Sequence, residues 1–188
     1  MKKTLLLFLL VPVLVSAQQG ILESKKNEVR FDALSMIAYG KFGLSYEYFI
    51  GKDCSIGITT NFLNSKKTSN DFESGFRNNL PKYEFNPYFR YALSKSKKRY
   101  YFAEVFGSYN GGDYKEIVRL VDSNNNGYYA IQKSKYTDFG LGGSLGYKMY
   151  FKDAISLEFL VGFGKNLINT TKSPDVITRV GLNLGYRF

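Results

Sequence analysis

The last thirteen residues, Val176-Ile-Thr-Arg-Val-Gly-Leu-Asn-Leu-Gly-Tyr-Arg-Phe188, alternate along their length. Counted back in twos, one face reads Phe188, Tyr186, Leu184, Leu182, Val180, Thr178 and Val176. The other reads Arg187, Gly185, Asn183, Gly181, Arg179 and Ile177. A period of two puts successive side chains on opposite sides of a strand. One side here is apolar and the other carries charge and glycine. Much of the chain repeats this grammar, so it must be accommodated in a sheet with two chemically distinct faces.

Eight such segments are predicted, with no helical segment between them. The first alternates from Glu28 to Ala33, and its pattern breaks at Leu34 to Ile37, where a bulge or register change is expected. Tyr39-Gly40-Lys41 reads as a turn. The next strands are predicted over Phe42–Ile50, Cys54–Leu63, Tyr83–Leu93 and Arg99–Tyr109, followed by Tyr136–Phe151, Ile155–Gly164 and the closing segment. Pro87 lies inside the fourth and, lacking an N–H, requires an unpaired position or a bulge.

The connections sort by parity. Gly51–Asp53, Ser94–Lys98 and Lys152–Asp153 are short, while Asn64–Pro81, Asn110–Ser134 and Lys165–Pro174 are long. Membrane barrels have this asymmetry, with short periplasmic turns, longer external loops and an even strand count. The expected fold is therefore an all-β, eight-stranded antiparallel up-and-down transmembrane barrel with a filled polar lumen.

The polar face selects between a membrane barrel and a soluble, periplasmic, lipocalin-like binding barrel, which holds its apolar face inward. Its charges are Glu28, Arg30, Asp32, Glu47, Glu84, Arg90, Glu104, Asp138, Lys148, Glu158, Arg179 and Arg187, nearly balanced in sign and interspersed with glycine and serine. Small residues and mutually paired charges suit a cramped lumen. Phe42, Phe62, Tyr83, Tyr136 and Phe163 are expected at the outer rim, and Tyr48, Tyr91, Tyr101, Phe151 and Phe188 at the periplasmic rim, as anchoring girdles. Arg179 and Arg187 are expected to reach acids such as Glu28 and Glu158, and the last strand to seal against the first.

The ends of the chain agree with this location. Lys2 and Lys3, the apolar run Leu5 to Val15, and Val15-Ser16-Ala17 predict a secretory signal peptide over 1–17, cleaved before Gln18. Residues 18–27 read as a flexible lead and 28–188 as the barrel domain. Removing the two signal lysines leaves 24 basic and 16 acidic residues, a formal charge of +8. These are scattered over turns and strands rather than gathered in a stripe, so nucleic acid is not expected as a partner. Cys54 is the only cysteine and excludes an internal disulfide.

Leu44-Ser-Tyr-Glu-Tyr48, Asn86-Pro-Tyr-Phe-Arg-Tyr91, Tyr101-Phe-Ala-Glu-Val-Phe-Gly107 and Gly140-Leu-Gly-Gly-Ser-Leu-Gly-Tyr147 resemble a family of small bacterial outer-membrane barrels, domain of unknown function 3575. The resemblance covers nearly the whole chain after the signal. It implies an eight-stranded barrel in the outer membrane, and brings no activity and no functional residues. The final strand also resembles the terminal signal read by the outer-membrane assembly machinery, with aromatics at the last and third-last positions. Glycine stands at 181 and 185 rather than at Asn183.

The chemistry-bearing motifs are few. A lipid-modifying enzyme of the outer membrane would use histidine as base, and the chain has none. Asp122-Ser-Asn-Asn-Asn-Gly127 opens like a calcium loop, but Lys133 stands where the bidentate acid belongs, so an exposed turn is expected. Gly140 to Gly146 lacks the spacing and the helix of a nucleotide fingerprint. The expectation is no catalytic, cofactor-binding or metal-binding residue, no cofactor and no enzymatic activity. The protein is read as a monomer that meets outer-membrane lipids, lipopolysaccharide and the assembly machinery, does not form an open pore, and acts structurally or in surface interaction through Asn64–Pro81 and Asn110–Ser134.

Overall fold

The structure, a computed structural model, describes residues 25–188 apart from 52, 95, 97, 124, 152 and 153. The expected signal peptide and its cleavage point lie outside the described residues. The elements are β1 (Asn27–Asp32), α1 (Ala33–Tyr39), β2 (Lys41–Phe49), β3 (Cys54–Leu63), α2 (Lys66–Glu73), β4 (Asn79–Ala92), β5 (Arg99–Val121), β6 (Gly127–Phe151), β7 (Ile155–Asn166) and β8 (Val176–Arg187). Neither helix is long and apolar enough to cross a membrane.

The strands close into a barrel in sequence order, each antiparallel to the next. β8 pairs with β1 from Glu28↔Arg187 to Asp32↔Asn183. Asn27 and Phe188 exchange backbone hydrogen bonds of 3.0 and 2.8 Å at the end of this seam. The predicted closure is thus met, and neither terminal strand keeps an open edge there.

Side chains sort as the alternation requires. Outward apolar residues are exposed, for example Val105 at 61%, Leu145 at 64% and Val161 at 51%, while Glu28, Glu47, Lys148 and Glu158 inside are at 0%. A soluble protein has the reverse arrangement. Tyr101 and Tyr147 meet at 4.9 Å on the outer wall, and Tyr186 stacks on Phe188 at 6.3 Å. Tyr136 departs from its expected place in the outer girdle. It sits on the inward parity of β6 and is only 2% exposed.

The glycines of the polar face have a direct packing role. Gly146, Gly142 and Gly57 are the cross-strand partners of Phe102, Phe106 and Tyr88. A Cβ on any of them would overlap the opposing ring. Glycine clears a slot in the wall, and the aromatic of the neighbouring strand covers it, the pairing that rescues glycine in sheets.

Three connections differ from their sequence reading. The break after β1 is α1, neither bulge nor register change. The Asp32 carboxylate accepts from the Ser35 N–H at 3.1 Å to cap it. Gly40 ends it with φ +59°, and a side chain there would press within 3.1 Å of Ser65 Cβ. The first long connection, Asn64–Pro81, contains α2, capped by Ser65 and anchored by Phe72, which is 1% exposed. Its sequence is otherwise polar with no helical stripe, so only tertiary burial of that ring selects the helix.

The largest correction concerns Asn110–Ser134. This is ladder rather than loop, since β5 and β6 stay paired to Val121↔Gly127. Only Asp122–Asn126 turns the chain, with the Asp122 carboxylate accepting from the Asn126 N–H at 2.8 Å. β5 loses its other neighbour beyond Asn79↔Tyr114, and β6 gains its other neighbour only at Gly140↔Asn166. The intervening ribbon stands above the wall, against α2 at its base and exposed on both faces beyond it, so its sequence has no fixed apolar face to reveal it.

Candidate functional site

Inward positions divide the lumen into two halves. Towards the short turns, eight charged side chains form one buried network. Glu28 and Arg30 come from β1, Glu47 from β2, Arg90 from β4, Glu104 from β5, Lys148 from β6, Glu158 from β7 and Arg179 from β8. Lys148 Nζ donates to Glu28 at 3.0 Å and Glu47 at 2.8 Å, and pairs with Glu158 at 3.0 Å. Arg90 bridges Glu47, Glu158 and Glu104 at 3.0, 2.7 and 2.6 Å. Arg30 pairs with Glu28 and Glu47 and donates to the Tyr88 hydroxyl at 2.6 Å. Four acids meet four bases, so the network carries no net charge, which is the condition for keeping it away from water.

Neutral groups complete the network. Tyr150 and Ser156 donate to Glu28, Ser55 to Glu47, and Asn183 to Glu158. Aromatic rings close the remaining space. The Arg90 guanidinium lies 3.9 Å over Phe102 and 4.9 Å over Tyr88, and Arg179 lies 4.5 Å over Phe106. Glu28, Glu47 and Glu158 come close enough together to suggest a metal site. Their facing oxygens are already held by Arg30, Arg90 and Lys148, so a cation would have to displace protein charges of its own sign.

Most of the polar-face charges fall where the alternation placed them, but several partners differ. Arg179 reaches Glu104 at 2.5 Å rather than Glu28 or Glu158. Arg187 donates to the Lys25 carbonyl at 2.9 Å and lies over Phe49 and Tyr150. Asp32 is the α1 cap. Asp138 is a loop anchor, accepting from the Ile168 and Asn169 N–H groups at 2.9 and 3.0 Å and from the Ser173 hydroxyl. Glu84 pairs with Lys41 at 2.7 Å near the helices. Alternation assigns a side chain to a face, but partners depend on height and twist around the barrel.

Towards the long connections the expected polar filling opens into a chamber of about 330 Å³. Its floor is Arg30, Arg90 and Arg179, and its wall includes Ser45, Thr59, Asn61, Ser108, Asn110 and Tyr136. The serine, threonine and asparagine side chains among them are too short to meet across the barrel, unlike the arginines and glutamates below them. Ser35 of α1, Thr68 of α2 and Arg77 edge the rim. The sequence reading missed this chamber. The one available signal was the drop in inward side-chain size along β2 and β5.

Closed strand order, lipid-type exterior and charged interior define the class of eight-stranded transmembrane barrels. The chain belongs to the family described as "Protein of unknown function (DUF3575)", which matches residues 4–175. Solved structures share the fold. A major outer membrane protein from Thermus thermophilus is 13% identical with TM-score 0.55, covering 88% of this chain and 100% of that one. Neisserial surface protein A is 11% identical with TM-score 0.52, covering 87% and 95%. The N-terminal barrel domain of Pseudomonas aeruginosa OprF is 12% identical with TM-score 0.50, covering 87% and 96%. No curated protein matches the sequence.

Proposed function

We propose that this protein is an integral barrel of a bacterial outer membrane, inserted as a monomer, closed to ion flow, and acting at the cell surface through α2 and the β5–β6 ribbon. The observation that carries this reading is the inversion of the fold: apolar side chains cover the outside, and a neutral network of eight charges fills the inside. Hydrocarbon is the solvent that stabilises such an exterior. The network and its aromatic packing support closure, because every described strand except β3 contributes a charge to it and β3 contributes Ser55.

The role is read as non-catalytic. Each carboxylate of the network is held by a guanidinium or an ammonium, leaving no free general base within it, and the chain has no histidine. Expressed in a Gram-negative host, the protein should enter the outer-membrane fraction and migrate faster unboiled than boiled. Recovery from the soluble periplasm would refute the reading. Purified protein in planar bilayers should give no stable conductance, and steady channels would refute closure.

A further inference from the structure

We infer that the chamber at the loop end of the lumen is a binding site for a small, hydroxyl-rich ligand bearing one acidic group, the chemistry of a uronic acid or an acidic sugar headgroup. The assignment rests on the chamber alone and stands whichever membrane carries the barrel. Its volume, about 330 Å³, lies at the lower end of the range of roughly 300–1,000 Å³ occupied by small-molecule sites.

The lining mixes apolar side chains such as Leu63, Leu160 and Val180 with polar groups, and the polar groups set what a ligand must offer. Ser45 and Thr59 present hydroxyls 2.9 Å apart on one side. Asn110 donates its amide to Ser108 at 3.2 Å and to Asn166 at 2.8 Å, so it offers the chamber a carbonyl oxygen. An apolar guest would leave the Asn110 carbonyl oxygen and the spare capacity of these hydroxyls unmet, a cost hydrocarbon contact does not offset. A polyol can meet them with a hydroxyl that both donates and accepts.

Two groups point to a ligand more directly. Tyr136 lines the chamber and is only 2% exposed, and its buried hydroxyl has no hydrogen-bond partner among the described residues. Arg77 stands at the rim with its Nε donating to the Asn79 carbonyl at 2.9 Å, and no acid pairs with it among the described ion pairs. The other chamber cations are engaged: Lys41 by Glu84, Lys82 by Asp113, Arg179 by Glu104, and Arg30 and Arg90 by the network below. One uncommitted guanidinium matches one acidic group. A bare metal cation fits poorly, since the chamber's acids already hold Lys41, the α1 cap, Arg30 and Arg90.

The test is calorimetric titration of the folded full chain in nanodiscs with glucuronate, glucose and inorganic phosphate. Glucuronate should bind saturably and glucose about tenfold or more weaker, the worth of a charge-assisted hydrogen bond. Tyr136→Phe should weaken glucuronate by about two- to tenfold, the worth of one neutral hydrogen bond. Arg77→Gln should bring glucuronate down to the level of glucose. Heat-dependent gel mobility verifies that each variant folds, and if one does not, the glucuronate preference of the unaltered protein still decides. Nanodiscs doped with lipopolysaccharide separate the sources: loss of the glucuronate signal identifies a glycolipid headgroup, and its persistence identifies a free solute, with the site upheld either way. No saturable binding by either sugar, equal binding of both, binding of phosphate alone, or affinity unchanged in both variants overturns the inference.

Discussion

The two halves of the lumen are built from the same strands, a few residues apart, on opposite principles. Near the short turns, long charged side chains from seven strands reach the axis and neutralise one another around Lys148 and Arg90. Near the helices, Ser45, Thr59, Asn61, Ser108 and Asn110 stop short of the axis and leave space. The switch takes only one or two inward steps along a strand: Glu47 to Ser45 on β2, Glu104 to Ser108 across Phe106 on β5. Side-chain length, not strand number, decides which part of an eight-stranded barrel is plugged.

The comparison can be broken most forcefully at Arg90. Arg90→Met removes a cation shared by Glu47, Glu104 and Glu158 and leaves those acids buried. Removing one partner from a buried pair costs about 3–5 kcal/mol. Urea unfolding in lipid vesicles should show a loss of that size. Adding Glu158→Leu should recover part of it, because the two residues share one network and their effects are not additive. Arg77→Gln, in the open half, should stay within about 0.5 kcal/mol of the unaltered protein. Equal losses at Arg90 and Arg77 would refute the division.

A smaller effect tests the packed half without touching charge. Gly146→Val places a branched side chain where the Phe102 ring already lies. Overpacking of this kind costs about 1–3 kcal/mol. Gly107→Ala is the control, because its Cβ would meet Phe139 at 3.5 Å, an ordinary contact. The same urea series should place it within about 0.5 kcal/mol. Similar losses for both glycines would mean that strand flexibility, rather than room for the ring, is what glycine supplies.

The same physical contrast explains what could be read from the sequence. Closure, strand order and the inward charges were legible because one face of each strand meets hydrocarbon, and a one-residue slip would turn every charge outward. Tyr136 was misplaced because an aromatic suits both a lipid girdle and a chamber wall, and only its parity on β6 separates them. The helices and the ribbon were illegible for a different reason. Above the membrane there is no apolar solvent to enforce a pattern, so Asp113 to Val121 reads as a mixture although it is continuous ladder. The chamber was hidden because an empty volume depends on which side chains fail to meet, and alternation records direction without reach.

Outside the wall the comparison repeats on a smaller scale, with α2 supporting the ribbon as the network supports the barrel. A lone two-stranded ribbon is marginal in water. Here Phe72 is buried against it, Lys115 lies 4.8 Å over the ring and donates to the Phe72 carbonyl, and Lys133 grips Glu73 at 2.8 Å. Phe72→Ala should therefore leave the barrel's urea midpoint unchanged while exposing the ribbon. Brief trypsin digestion of intact cells should cut at Arg119 or Lys133 several-fold faster, and a shifted midpoint with unchanged cleavage would sink the idea.

Acidification should loosen the same contact more gently. Glu73 is exposed, and its hydrogen bond from Lys133 holds its carboxyl below the usual glutamate value. A carboxylate with a depressed value in the folded state stabilises above its unfolded value and loses that contribution as pH falls through the folded one. Protection of the ribbon should accordingly be full at neutral pH and fall only below the ordinary glutamate range. Pepsin is active there, so cleavage near Leu120 gives the readout, and Glu73→Gln should flatten the pH dependence. Screening by salt should weaken the effect further, as befits an exposed pair. The buried network, shielded from that salt, should show no matching response in the barrel's urea midpoint between low and high ionic strength.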